Sequence, residues 1–204
     1  MIYIMLGGPA TGKGTRSEIL SEKLNIPHIS TGEILRDASD KNIELKEKMS
    51  KGELISDEII NELLFLRISK TDCKGGFVLD GYPRKIQQAY ALEDMLKKLN
   101  MNITKVIELI VSEELAFKRI LQRKECSICG KAYGIDFPSM NGDNCDDCNG
   151  KLVTRSDDTE ETLRKRMNTY NMLAKPILDF YKTKNILKTV DSSSHPERVL
   201  ETLN

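Results

Sequence analysis

The chain has 204 residues, enough for one domain with a sound core and a small insertion. Its 31 basic residues balance 31 acidic ones, so no global field draws it to nucleic acid or to a membrane surface, and any anion site must be local. It lacks an apolar run of about eighteen residues and a basic leader followed by an apolar stretch, so the expectation is a cytoplasmic protein that neither spans a membrane nor is exported.

The first predicted strand, residues 1–6, holds the apolar run Ile2-Tyr3-Ile4-Met5-Leu6, and Gly7-Gly8-Pro9-Ala10-Thr11-Gly12-Lys13-Gly14-Thr15 follows at once. Glycines at 7, 8, 12 and 14 let the backbone curl so that several N–H groups point inward, Lys13 brings a mobile positive charge, and Thr15 a hydroxyl for a metal ion. That is a nest for a polyphosphate. The generic pattern has Ser or Thr directly after the lysine, whereas here Gly14 intervenes. A helix predicted from Gly14 to Leu24, with Ile19, Leu20 and Leu24 on one face, aims its positive end at the same phosphates. The bland alternative is a glycine-rich turn with a solvated lysine.

A second strand at 27–30 runs into Ser30-Thr31-Gly32-Glu33, and Arg36 comes five residues after Thr31, so a hydroxyl and a guanidinium face one cleft. The helix predicted at 56–69 carries Ile59, Ile60, Leu63, Leu64 and Leu66 and reads as a packing element. The strand at 76–80 ends in Asp80-Gly81-Tyr82-Pro83-Arg84, which sets a carboxylate able to hold magnesium through water beside an arginine. In the helix predicted at 85–99, Gln88 lies four residues beyond Arg84, where its amide is placed to read a base edge.

The fourth strand, 104–111, is nearly continuously apolar, as expected of a strand covered on both faces. Strands alternating with helices predict a parallel sheet with its ligands at the carboxyl ends of the strands. Arg119 and Arg123 form an i, i+4 pair ahead of an irregular stretch at 124–152, and Arg155 and Arg166 follow it. Taken singly, each arginine reads as a solvated charge; as a set they suit phosphoryl transfer, which needs several rigid donors around the migrating group. After a last strand at 186–191, Ser194-His195-Pro196-Glu197 has capping-box spacing and predicts a final short helix.

The irregular stretch contains Cys126-Ser-Ile-Cys129, fifteen further residues, and Cys145-Asp-Asp-Cys148, the spacing of a zinc ribbon. Two such knuckles close a tetrahedron of thiolates with no open position, so the metal is structural. A stretch this poor in apolar side chains cannot order itself, and a structural zinc supplies on the order of 10 kcal/mol of coupled folding energy. Two disulfides, or an iron centre on the same thiolates, are the alternatives. Cys73 stands apart and reads as a semi-buried thiol.

Taken together, GGPATGKGT, STGEILR at 30–36, GFVLDGYPR at 76–84, the four-cysteine insert and TRSDDTEETLRKR at 154–166 resemble the adenylate kinase family, in its long-lid, zinc-containing form, over nearly the whole chain. The resemblance implies an α/β fold of the P-loop nucleoside monophosphate kinases: a five-stranded parallel sheet core (1–30, 61–123 and 161–204), a monophosphate-binding segment at 31–60 and a mobile lid at 124–160 carrying the zinc. It implies a monomer catalysing ATP + AMP = 2 ADP with Mg2+. Lys13, Arg84, Arg119, Arg123, Arg155 and Arg166 would be catalytic. ATP would meet Ala10, Thr11, Gly12, Lys13, Gly14, Thr15, Arg119, Arg123, Ala132, Tyr133 and Ser194. AMP would meet Thr31, Arg36, Glu53, Leu54, Ile55, Gly81, Tyr82, Pro83, Arg84, Gln88, Arg155 and Arg166. Magnesium would sit near Asp80 and Thr15, and zinc on Cys126, Cys129, Cys145 and Cys148.

The chain departs from the family at three places: Ala10 replaces a glycine, so its φ is negative or strained; Arg16 stands for glutamine; and Gly134 stands where a histidine follows the lid tyrosine. Competing readings are a GTP:AMP phosphotransferase or a UMP/CMP kinase, the latter opposed by Thr31 and the long lid. From another class comes a nucleotide-sensing zinc-ribbon module without turnover.

Overall fold

A computed structural model describes residues 1–39, 47, 55–155, 157–193 and 196. The first apolar run forms strand β1, Ile2–Gly7, and its alternating side chains enter two cores. Ile2, Ile4 and Leu6 join Phe77, Leu79, Leu92 and Tyr181 on one face, while Tyr3 and Met5 join Leu20, Val78, Ile107 and Leu109 on the other. A strand buried on both faces has no polar side to expose, which is why the run is continuous rather than alternating.

β1 pairs in parallel with β3 (Phe77–Asp80) on one side and β4 (Lys105–Ile110) on the other. β2 (His28–Ser30) and β8 (Leu187–Asp191) complete the five-stranded order β2-β3-β1-β4-β8, with every pairing parallel. All five expected strands are present to within a residue or so at each end. Because β1 is central, the loop that follows it opens at the middle of the sheet's carboxyl edge.

Helix α1, Lys13–Leu24, starts on Gly12, which takes the left-handed φ of 76°. Leu20 and Leu24 pack on the second core as expected, but the most deeply covered face of the helix also takes in Arg16 and Ser17, and Ile19 is not part of that core. Arg16 is only 1% exposed because its guanidinium reaches the backbone carbonyls of Thr11 and Ser192, at 3.5 and 2.8 Å. Helices α2 (Thr31–Ser39), α3 (Asp57–Ile68), α4 (Ile86–Lys98) and α5 (Glu113–Gln122) follow. The Ser112 hydroxyl caps α5 by accepting from the Leu115 N–H, with Glu113 and Glu114 in the first turn beside the positive helix end. Thr159 caps the long α6, Glu160–Thr183, in the same way. Cys73 is fully buried beside Arg67, and burial pushes its thiol up, which keeps it unreactive.

The insert, read as lacking strand periodicity, forms a small antiparallel sheet of order β6-β5-β7 from Lys124–Cys126 (β5), Ala132–Tyr133 (β6) and Leu152–Val153 (β7). Strands of two or three residues are too short to show alternation in a sequence. The expected final helix begins at Ser194, and most of its residues lie outside those described.

Candidate active site and metal centre

At the sheet edge, Gly7 to Thr15 wrap into a loop held from inside. The Lys13 ammonium donates to the Gly7 and Gly8 carbonyls at 3.0 and 2.7 Å, and the Thr11 hydroxyl donates to Gly8 at 2.9 Å. Gly12 must be glycine: its φ is left-handed, and an added Cβ would lie 2.2 Å from Arg16 Nη1. Ala10 takes a φ of 57°, so the departure at this position is strained, at a cost of about 1 kcal/mol. The Tyr170 ring from α6 backs the loop, 3.5 Å from where a Cβ on Gly8 would be. Burial pushes Lys13 down to about 8 against the pull of Asp80, and Arg84, Arg123 and Arg166 add to the depression.

A cavity of about 390 Å³ runs from this loop across the ends of β2 and β3 and under the insert. Its far half is built on Thr31, whose buried hydroxyl donates to the Asp80 carbonyl at 3.1 Å. Gly81, at φ 82°, lies so close that an added Cβ would be 2.7 Å from that hydroxyl oxygen. The Arg84 guanidinium folds back on the Gly81 carbonyl at 2.8 Å, and the Tyr82 hydroxyl donates to Asn61 at 2.5 Å. Gln88 is more committed than its sequence position suggests. Its Oε1 accepts from the Arg84 N–H at 2.7 Å and its Nε2 donates to Asp57 at 2.8 Å, leaving one amide hydrogen for a ligand.

Carboxylates set the remaining guanidiniums. Asp157 accepts from Arg155 at 2.8 and 2.9 Å and from Arg166 at 2.7 Å, while Arg155 also reaches Glu125 at 3.3 Å. Burial alone would raise the Asp157 carboxyl, but these two arginines hold it well below the ordinary carboxylate range. Arg123 makes a two-pronged pair with the fully covered Asp158. Arg119 pairs with Asp136 at 2.7 Å and donates to the Ser192 carbonyl at 2.7 Å. Glu18 also borders the cavity, and burial with Glu33 nearby pushes it up to about 7.

Lys13, Thr15, Thr31, Arg36, Ile55, Asp80, Arg84 and the four arginines at 119, 123, 155 and 166 all line this cavity, as do Ala10, Gly12, Gly14, Gly81, Tyr82, Pro83, Gln88, Ala132 and Tyr133. Thr11, turned inward to Gly8, does not. Glu53, Leu54 and Ser194 lie outside the described residues. Sequence reasoning missed Asp57, Asp136, Asp157, Asp158, Glu18 and Tyr170. The only signal for any of them was the Asp-Asp pair inside TRSDDTEE, quoted for resemblance and given no role.

In the insert, the four expected cysteines are free thiols whose sulfurs all lie within 4.8 Å of one another. Cys126 to Cys148 is 3.4 Å and Cys129 to Cys145 is 3.6 Å, near the edge of about 3.7 Å that a tetrahedron of Zn–S bonds requires. Both knuckles share one turn. The residue after the second cysteine is left-handed, Gly130 at φ 75° and Asn149 at φ 59°, and its N–H donates to the first cysteine's carbonyl at 3.0 and 2.9 Å. The Asp146 N–H donates to the Tyr133 hydroxyl, which is thereby aimed at Cys145 Sγ 3.2 Å away and pulls that thiol down to about 6. Tyr133 therefore borders the cavity with its hydroxyl already engaged. The donor set and spacing fit zinc.

A phosphate-binding loop on a five-stranded parallel sheet, facing a second ligand half across a ring of arginines, defines a P-loop nucleoside monophosphate kinase. The family model described as Adenylate kinase matches residues 5–186. An adenylate kinase of Archaeoglobus fulgidus is 45% identical over 98% of this chain and 94% of its own length. One from Thermotoga petrophila is 44% identical over 98% and 94%, and one from Clostridium tetani 40% over 100% and 97%. The chain belongs to the adenylate kinase family and is a phosphotransferase for the reaction ATP + AMP = 2 ADP. Among the described residues, no helix is long and apolar enough to cross a membrane.

Proposed function

We propose that the two halves of the cavity take one nucleotide each and that the phosphoryl group passes directly between them. The loop amides and Lys13 hold the donor phosphates, with Arg119 and Arg123 beside them, Ala132 and Tyr133 of the lid above, and Ser194 completing the contacts. Thr31, Arg36, the Glu53-Leu54-Ile55 backbone, Gly81 to Arg84 and Gln88 hold AMP. Arg84, Arg155 and Arg166 bridge the halves, so negative charge developing on the migrating group meets fixed donors that need no reorganisation. The AMP phosphate is itself the nucleophile, and positioning replaces covalent catalysis. Mg2+ arriving with ATP neutralises phosphate charge, and Asp80 and Thr15 are the residues that would hold it through water.

Segments 31–60 and 124–160 are read as moving against the core, the second closing as a lid that excludes competing water. Cys126, Cys129, Cys145 and Cys148 are read as holding a structural zinc that makes the lid a rigid body. The working form is read as a cytoplasmic monomer.

The observation that carries this reading is the convergence of Lys13, Arg84, Arg119, Arg123, Arg155 and Arg166 on one cavity with a phosphate loop at one end and Thr31 at the other. Incubation with ATP, AMP and Mg2+ is expected to yield ADP only when both nucleotides are present. Phosphate release from ATP alone contradicts direct transfer.

Lys13 adds a pH signature. Its pKa of about 8 lies below the ordinary lysine value, and bound phosphate restores the charged form. Donor binding near pH 8.5 is therefore expected to take up a fraction of a proton, and affinity is expected to fall as pH rises through about 8. Titration calorimetry in two buffers of different ionisation enthalpy measures this. Equal heats in both buffers contradict it.

A further inference from the structure

Asp136 belongs to none of the expected contacts, yet it is placed where it governs one of them. It sits in the short turn that carries the lid backbone beyond β6, where Gly134 and Phe137 exchange backbone hydrogen bonds at 3.0 and 3.1 Å across Ile135 and Asp136. The turn is rigid at its base, and its acidic member reaches across to α5, where the Asp136 carboxylate meets Arg119 Nε at 2.7 Å.

Arg119 is a difficult group to hold in place. It is 7% exposed, and its Nη2 shares the Ser192 carbonyl with the Nη2 of Arg16, at 2.7 and 2.8 Å. Two guanidiniums so close and so dry repel, and burial together with Arg119 pushes Arg16 down to about 10. Asp136 and Asp191 are the two carboxylates whose charge works the other way on Arg16. Asp191 ends β8 and belongs to the core, so its charge is present whatever the lid does. Asp136 comes from the lid. Its carboxylate stands 2.7 Å from Nε as an ion pair without the alignment of a hydrogen bond, while the Ser192 carbonyl accepts from Nη2 and the Ala10 carbonyl lies 3.4 Å from Nη1, so two backbone acceptors and the charge of Asp136 hold the Arg119 guanidinium.

We propose that Asp136 is a positioning residue for the donor nucleotide: as the lid seats, its carboxylate supplies the counter-charge that holds Arg119 against Arg16 and orients it toward the donor phosphates. The proposal rests on the donor-side reading of Arg119. Asp136→Asn keeps the size and removes the charge, so Arg119 loses one of three anchors while Arg16 still repels it. The expected result is a rise of about tenfold in KM for ATP, with KM for AMP changed less than about twofold and the melting temperature unmoved, since Asp136 is a third exposed. Asp136→Glu, which restores the charge, is expected to recover most of the loss.

The overturning results are distinct. If Arg119→Lys raises KM for ATP and Asp136→Asn does not, Asp136 has no positioning role. If Asp136→Asn lowers KM for ATP, the carboxylate competes with phosphate instead of preparing its site. If it raises both KM values equally, the effect is general loosening of the lid. If Arg119→Lys itself leaves KM for ATP unchanged, the donor-side reading of Arg119 fails and the proposal falls with it.

Discussion

Replacing Lys13 by Met is expected to lower kcat by about a thousandfold, close to 4 kcal/mol of lost transition-state stabilisation, with a melting temperature at or above that of the parent chain. Both halves follow from where the ammonium sits. It is enclosed by the loop, bonded to the Gly7 and Gly8 carbonyls, and depressed to about 8, so the protein holds a charge that its surroundings disfavour. In the proposed reading, such a group is held for the phosphates that restore its charge rather than for the stability of the fold. The Met chain matches the length and apolar character of the lysine stem, so the loop keeps its packing while two hydrogen bonds and the charge are lost. Steady-state rates with saturating ATP and AMP, measured beside a thermal melt, test this. Activity within tenfold of the parent would remove the loop from the chemistry, and a collapsed melt would mean that the ammonium's two carbonyl contacts carry the loop's structure.

Stripping the metal is expected to lower the melting temperature by about 10 °C or more, and Cys129→Ser to act in the same direction, while turnover per folded molecule well below the transition stays within about threefold. The apolar contents of the insert are meagre: Cys126, Tyr133, Cys145 and Leu152 form its entire cluster of buried residues among those described. Strands of two and three residues around that cluster cannot hold the lid unaided. Four thiolates would close the coordination shell of a zinc ion, which would then have no open position from which to act on a nucleotide. Differential scanning calorimetry with and without a strong chelator, followed by zinc add-back, is the check. Loss of turnover with an unchanged melt would give the metal a chemical role instead.

The fold was legible because β1, β3 and β4 are buried on both faces, and that leaves continuous or, in β4, nearly continuous apolar runs in the sequence. The phosphate loop and the cysteine knuckles were legible for a related reason: each packs its chemistry into a few consecutive residues. What escaped depends on contacts across the chain. Nothing near Arg123 announces Asp158, and nothing near Arg119 announces Asp136, because these partners lie well apart in the chain and meet only in the folded structure. The buried face of α1 was read only in part for the same reason: Leu20 and Leu24 pack as expected, but Arg16 was not foreseen there. Arg16 looks like a surface residue until Ser192, far along the chain, supplies its acceptor. Gln88 and Tyr133 have the side chains their expected roles require, but neighbours in space, Asp57 and Cys145, engage part of them.

The account turns on one cavity holding two nucleotides end to end. Titration with a bisubstrate dinucleotide, two adenosines joined through five phosphates, tests it most directly when followed by displacement of labelled ATP and labelled AMP in parallel. The predicted result is one dinucleotide bound per chain, displacing both labels with the same midpoint. Displacement of one label alone, or two dinucleotides bound per chain, would contradict it.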